Sequence, residues 1–248
     1  MTGGEVGSSG ERADRGEPTG FLYPFLDHGE RDASGLLADL AASAAAKEAE
    51  SARLRATTVE HLRSDLQAAA AAMAQRFVAG GRLFAFGNGG SATDADGIAA
   101  LFRAPPWGRA LAARTLLASR AVVTALANDV GFDLVFSRQL IAHAHIDDIA
   151  LGISTSGNSV NLLAAFDEAK RRGLLTVGLA GYDGGQMVGS SDVDHCLVVR
   201  SDSVHRIQEA QGALVHELWS RVQAELGSSC PTAVAGQEGT PELSGEWR

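Results

Sequence analysis

The amino-acid sequence predicts a doubly wound α/β domain, a parallel sheet with helices on both faces, preceded by a helical extension. Three observations carry that expectation. Short apolar runs recur at 82–86, 149–153, 175–180 and 195–199, with a weaker one near 114–117. These runs end in Gly, Ser or Asn and lead into helical stretches, the rhythm of parallel strands buried on both faces. A length of 248 residues suits one large α/β domain or two small ones. No internal repeat is present.

Residues 1–19 and 228–248 are rich in Gly, Ser and charge and nearly empty of large apolar side chains, so both read as disordered tails. Phe21 to Leu26 form an apolar patch expected to dock on the domain or on a partner subunit. The helical extension covers 20–56 and the domain proper 57–227. Leu36, Leu37, Leu40 and Ala44, then Leu62, Leu66, Ala69, Met73 and Phe77, recur at spacings of three and four. Gly80-Gly81 is the stop signal. The last long helix runs from Ser203, a plausible N-cap, to about Leu226.

Composition excludes several classes. With 45% hydrophobic residues and a mean hydropathy of +0.01, the chain has no apolar run near the ~18 residues of a membrane span. Its first residues lack the apolar core of a secretory signal. Cys196 and Cys230 are too few for a disulfide framework, so a reduced, cytoplasmic protein is expected. A net charge of −9 argues against general nucleic-acid affinity, which rests on basic patches. It leaves room for a small anionic ligand, which needs local donors.

Ligands of such sheets bind beyond the carboxyl ends of the strands. One of those ends is Phe86-Gly87-Asn88-Gly89-Gly90-Ser91, directly before a helix. Glycines let backbone N–H groups approach an anion, and the helix adds its positive end. A purely conformational turn has the same composition, and neither a G-x-G-x-x-G nor a GK[ST] signature is present. The second end is Ser154-Thr155-Ser156-Gly157-Asn158-Ser159. Three serines and a threonine exceed what a helix cap needs and suit a phosphate monoester, so the two loops together read as a phosphate cradle.

The segments FGNGGSATDA, ALANDVGFDLVFSRQL, LGISTSGNSVNLL, GLAGYDGGQM and RIQEAQGALVHEL occur in the order found in the phosphoheptose isomerase family of sugar isomerase (SIS) domains, which the chain resembles from about 57 to 226. The resemblance implies a flavodoxin-like five-stranded parallel sheet, a homotetramer with sites at subunit interfaces, and sedoheptulose 7-phosphate or a related sugar phosphate as substrate. Carried over by position, Ser154, Thr155, Ser156 and Ser159 hold the phosphate. Asn88, Gly89, Gly90 and Ser91, with Asn128 and Asp129, line the sugar side. Gln208 and His216 contact substrate and metal, and their spacing puts both on one helix face.

The chain departs from the family where its chemistry resides. Aldose–ketose isomerisation needs a base near C1–C2 of the sugar. The family supplies a His and a Glu four residues apart on the helix after GNGGS, where they share zinc with the Gln and the second His. Here those positions are Gly97 and Leu101, and neither can bind metal or move a proton. No cofactor is therefore expected, zinc only if an altered site exists. His205 is the first candidate for a substitute base, since histidine titrates in the useful range. Asp94 matches the family pattern and is no compensation. Residues 102–109, with two arginines, Trp107 and a Pro-Pro pair, read as a rebuilt rim, an interface or a plain surface loop. An altered isomerase, a non-catalytic phosphosugar sensor and an assembly protein all remain compatible with these residues.

Overall fold

The computed structural model describes residues 33–228. The expected tail at 1–19 and the apolar patch at 21–26 lie outside the described residues, as does the C-terminal tail beyond Ser228. The chain divides into two compact units, 1–49 and 50–248. What is described of the first is the opening of helix α1 (Ala33–His61), whose Leu37 and Leu40 are exposed.

The helical pattern at the start of the chain forms two helices. α1 ends at His61 and α2 runs Arg63–Val78, with Leu62 between them in a non-helical conformation. No Gly or Pro marks that break. In α2 the stripe of Leu66, Ala69, Ala70, Met73 and Ala74 is buried. The chain then alternates: β1 (Leu83–Gly87), α3 (Gly90–Arg103), β2 (Ala113–Thr115), α4 (Arg120–Asp129), a 3-10 turn (Phe132–Leu134) and α5 (Val135–His143). It continues with β3 (Ile149–Ser154), α6 (Val160–Arg171), β4 (Leu175–Gly181), α7 (Gly185–Val188), β5 (His195–Val199) and α8 (Val204–Ser228).

All four strand pairings are parallel, in the order β2-β1-β3-β4-β5. This is the five-stranded sheet that the sequence implied. Alternate side chains serve two cores. Leu83, Ala85, Ile149, Leu151 and Ile153 join α2, α3 and α8, while Phe84, Phe86 and Ala150 join α5 and α6. Gly152 is small for a reason: a Cβ there would lie 2.6 Å from the Phe166 ring and 2.8 Å from that of Phe86. Those rings fill the space, with Phe86 5.4 Å from Phe166 and 5.3 Å from Phe136.

The amino ends of β1 and β3 are fastened together by a carboxylate. Asp148 is 2% exposed and accepts from the Arg82 backbone N–H at 2.7 Å, the Arg82 guanidinium at 2.8 and 3.2 Å, and the His145 N–H at 2.8 Å. Burial works against its charge, but these donors outweigh it and hold the carboxyl below the usual range. The strand order reverses between β1 and β3, since β2 lies on one side of β1 and β3 on the other. The opposite, carboxyl ends of these two strands therefore open the crevice where sheets of this kind bind ligands.

Candidate functional site

Both loops singled out in the sequence leave the sheet at that crevice, GNGGS from β1 and STSGNS from β3. The first is shaped by its glycines. Gly89 has φ 55° and ψ −123°, a conformation that a side chain resists. A Cβ on Gly87 would lie 2.5 Å from the Ser91 carbonyl oxygen. At Gly90 a Cβ would lie 2.3 Å from Gln208 Nε2, so the amide of Gln208, from α8, rests on the start of α3. Ser91 is buried beneath the turn.

The second loop is braced from inside and below. Ser154 Oγ accepts from the Gly157 N–H at 3.1 Å and lies 3.0 Å from Ser159 Oγ. Ser156 Oγ accepts from the Asn158 N–H at 3.2 Å. Gly157 has φ 66°, and a Cβ there would lie 2.0 Å from the Gly184 carbonyl oxygen. Asn158 uses its amide as a strut, donating to the Ser156 carbonyl at 3.0 Å and accepting from the Gln186 N–H at 2.9 Å. It is a brace for the cradle, with one N–H of its amide left over. Asp183 accepts from the Gly185 N–H at 3.1 Å and so shapes the turn.

The two loops are tied by a pair that the sequence did not announce. Asn88 Nδ2 donates to Asn161 Oδ1 at 2.9 Å, and Asn161 Nδ2 donates to Asn88 Oδ1 at 3.0 Å. Asn161 is 2% exposed, so this reciprocal amide bond is shielded from water. Read on its own, Asn161 is one polar residue in the first turn of α6. Only the register of β1 beside β3 brings it to Asn88.

The remaining expected residues are distributed unevenly. Asn128 and Asp129 are exposed at the end of α4, where Asn128 Nδ2 donates to Asp129 Oδ1 at 2.9 Å. No hydrogen bond among the described residues joins either to the two loops. His216 is exposed two turns beyond Gln208, about 12 Å along the helix axis, with its ring 5.2 Å from that of Trp219. His205 is exposed in the first turn of α8, and Glu209 faces Arg55 at 3.8 Å. The 102–109 segment is no free loop. Gln223 receives the Arg109 N–H at 2.8 Å and donates to the Arg109 carbonyl at 2.9 Å, and the Trp107 ring lies 4.6 Å from Trp219. That tilted ring contact makes it a wall beside His216.

Gly90, Asp94, Gly97 and Leu101 follow at spacings of four, three and four, forming one stripe of α3. At Gly97 a Cβ would meet nothing within 4 Å, and Leu101 packs on the apolar core. Of the four positions that the resemblance assigns to metal, two hold Gly97 and Leu101, and the two donors left, Gln208 and His216, are too few to fit zinc. Asp94 is different. One carboxylate oxygen is buried without a hydrogen-bond partner, and burial pushes its pKa up. Both amide atoms of Gln211, one turn past Gln208, are likewise buried and unpartnered. Cys196, on β5, is pushed up to about 11 by burial and is inert at neutral pH.

Comparison with known proteins identifies the family. The SIS domain family matches residues 48–181, more than half of the 248-residue chain, so the class is that of a SIS-domain protein. Phosphoheptose isomerase of Paramagnetospirillum magneticum is 41% identical over 178 residues, covering 71% of this chain and 92% of that relative. The structure of phosphoheptose isomerase from Neisseria gonorrhoeae matches with a TM-score of 0.69 at 35% identity, over 75% of this chain and 99% of that one. The enzyme from Francisella tularensis matches with a TM-score of 0.69 at 30% identity, over 73% and 97%. The chain belongs to the phosphoheptose isomerase family. No helix among the described residues is long and apolar enough to cross a membrane.

Proposed function

We propose that the chain binds a phosphosugar, sedoheptulose 7-phosphate or a close relative, and interconverts its aldose and ketose forms. The observation that carries this is the locked pair of loops at the β1/β3 crevice, rich in hydroxyls and amides and joined through Asn88 and Asn161. Thr155, Ser156 and Ser159 receive the phosphate, with Ser154 holding the loop in shape. Gln208, resting on Gly90, meets the sugar.

Isomerisation moves one proton between adjacent carbons through an enediol while a second passes between their oxygens. Asp94 is the better-supported base. Its buried, unpartnered oxygen binds a proton more readily than an ordinary carboxylate, and it lies one turn from Gly90 on the same stripe of α3. His205 stands exposed at a helix end and is the second choice. The chemistry is assigned to side chains alone because the donor set at the family's metal positions is half lost. A cytoplasmic homotetramer with no affinity for nucleic acid completes the proposal, supported by family membership and acidic charge. A second reading, a non-catalytic phosphosugar sensor, is favoured by Gly97 and Leu101, which leave the family's proton-moving positions without a functional group.

Phosphorus NMR of sedoheptulose 7-phosphate with near-stoichiometric protein separates these readings. Conversion that falls about 100-fold or more in Asp94→Asn, with binding kept and His205→Ala near wild type, is the expected result. Binding without conversion establishes the sensor. Absence of binding in folded protein removes both.

A further inference from the structure

Behind α8, three arginines from three segments line one cavity of about 460 Å³: Arg53 of α1, Arg200 just after β5, and Arg206 of α8. That volume falls within the range of small-molecule sites. The cavity is separate from the crevice already described. Gln208 faces α3, and at 100° per residue Arg206 lies about 160° around the helix from it. Arg206 reaches Glu50 of α1 at 2.6 Å, and Arg221 on the same side reaches the Arg63 carbonyl of α2 at 3.2 Å.

The charges in this cavity do not balance internally. Arg206 is neutralised by Glu50, but the guanidinium groups of Arg53 and Arg200 make no hydrogen bond or ion pair among the described residues. Asp202 also lines the cavity and pairs with neither. The chain as a whole carries 30 acidic residues, so partners for arginine are plentiful. Arg53 and Arg200 are exposed, so both guanidinium groups are open to an anion arriving from solvent. Ser203 and the positive end of the 25-residue helix α8 face the same space.

We propose that this cavity is a second anion site, which takes the phosphate group of a small phosphorylated molecule between Arg53 and Arg200. The planar forks of arginine suit phosphate oxygens, and the Ser203 hydroxyl adds a donor. Occupancy fixes the first turn of α8, the helix whose other side carries Gln208, so the site is placed to influence the crevice from behind.

Calorimetric titration of the full chain with inorganic phosphate tests this. Ser154→Ala with Ser156→Ala weakens the front cradle, so loss of the proposed function's site and loss of this one are read separately. In that background phosphate still binds, and adding Arg53→Gln with Arg200→Gln weakens it about tenfold or more. Unchanged affinity in the arginine variant overturns the proposal, as does complete loss of phosphate binding in the serine variant. Should the serine variant fail to fold, the count of phosphates bound by wild type falls from two to one in the arginine variant. A count that stays the same rejects the site. A changed oligomeric state with unchanged phosphate affinity assigns the arginines to a subunit contact and also rejects it. Competition by glycerol 3-phosphate then separates a phosphate ester from free phosphate as the natural occupant.

Discussion

Gly90 and Asp94, one turn apart on α3, divide the work of the crevice between shape and chemistry. Gly90 is small so that the Gln208 amide can rest against it, and its backbone has no positive φ to satisfy. Gly90→Ala therefore has two separable effects. The end of a flexible side chain must move, while Ala replaces Gly in the first helical turn, so stability changes by under about 1 kcal/mol. The displaced Gln208 no longer meets the sugar, and kcat/KM falls about tenfold or more while melting temperature holds. Unchanged turnover in that variant removes Gln208 from the site. Of these residues, Gly90 and Gln208 were legible from the sequence as members of one motif set. The weight of Asp94 was not, because burial of a single carboxylate oxygen depends on what α3 packs against.

At the scale of elements, the two phosphate loops stand or fall through α6. Asn161 in its first turn and Asn88 after β1 bury a reciprocal amide pair, and removing either leaves the other's donor and acceptor unpaired. Asn161→Ala is expected to cost about 1–3 kcal/mol of stability and to weaken phosphosugar binding. The double variant with Asn88→Ala should cost less than the sum of the singles, by about 1 kcal/mol, in denaturant titrations. Additive costs show that the pair is not coupled. The strands and their order of appearance were readable because continuous apolar runs and helical spacings have distinct periods. The break at Leu62 was hidden, since no Gly or Pro marks it and the 3,4 spacing runs through it. The clamp of Gln223 on Arg109 and the support of Gly184 beneath Gly157 join residues distant in sequence, and a local pattern carries no trace of them.

Across the whole molecule, the sheet is held at its two ends by different means. The amino ends of β1 and β3 depend on a charge, that of Asp148. Its folded pKa lies below the unfolded value, so the stability it contributes is present above about pH 4 and is lost as pH falls through the lower folded value. Asp148→Asn should cost about 1–3 kcal/mol at neutral pH, discounted for the partly exposed Arg82, and flatten the acid limb of a stability–pH curve. An acid limb as steep as that of wild type would show that other carboxylates govern it.

The carboxyl ends of the same strands are fastened with neutral groups, the amides of Asn88, Asn158 and Asn161, the hydroxyls of Ser154 and Ser159, and main-chain N–H. None of these titrates between pH 4 and 9. The shape of the cradle is thus indifferent to acidity across the range in which a phosphate monoester takes up its second proton, near pH 6. As far as these two loops go, the acidity dependence of phosphate affinity is then set by the cargo, which changes charge inside a cradle whose fastenings do not.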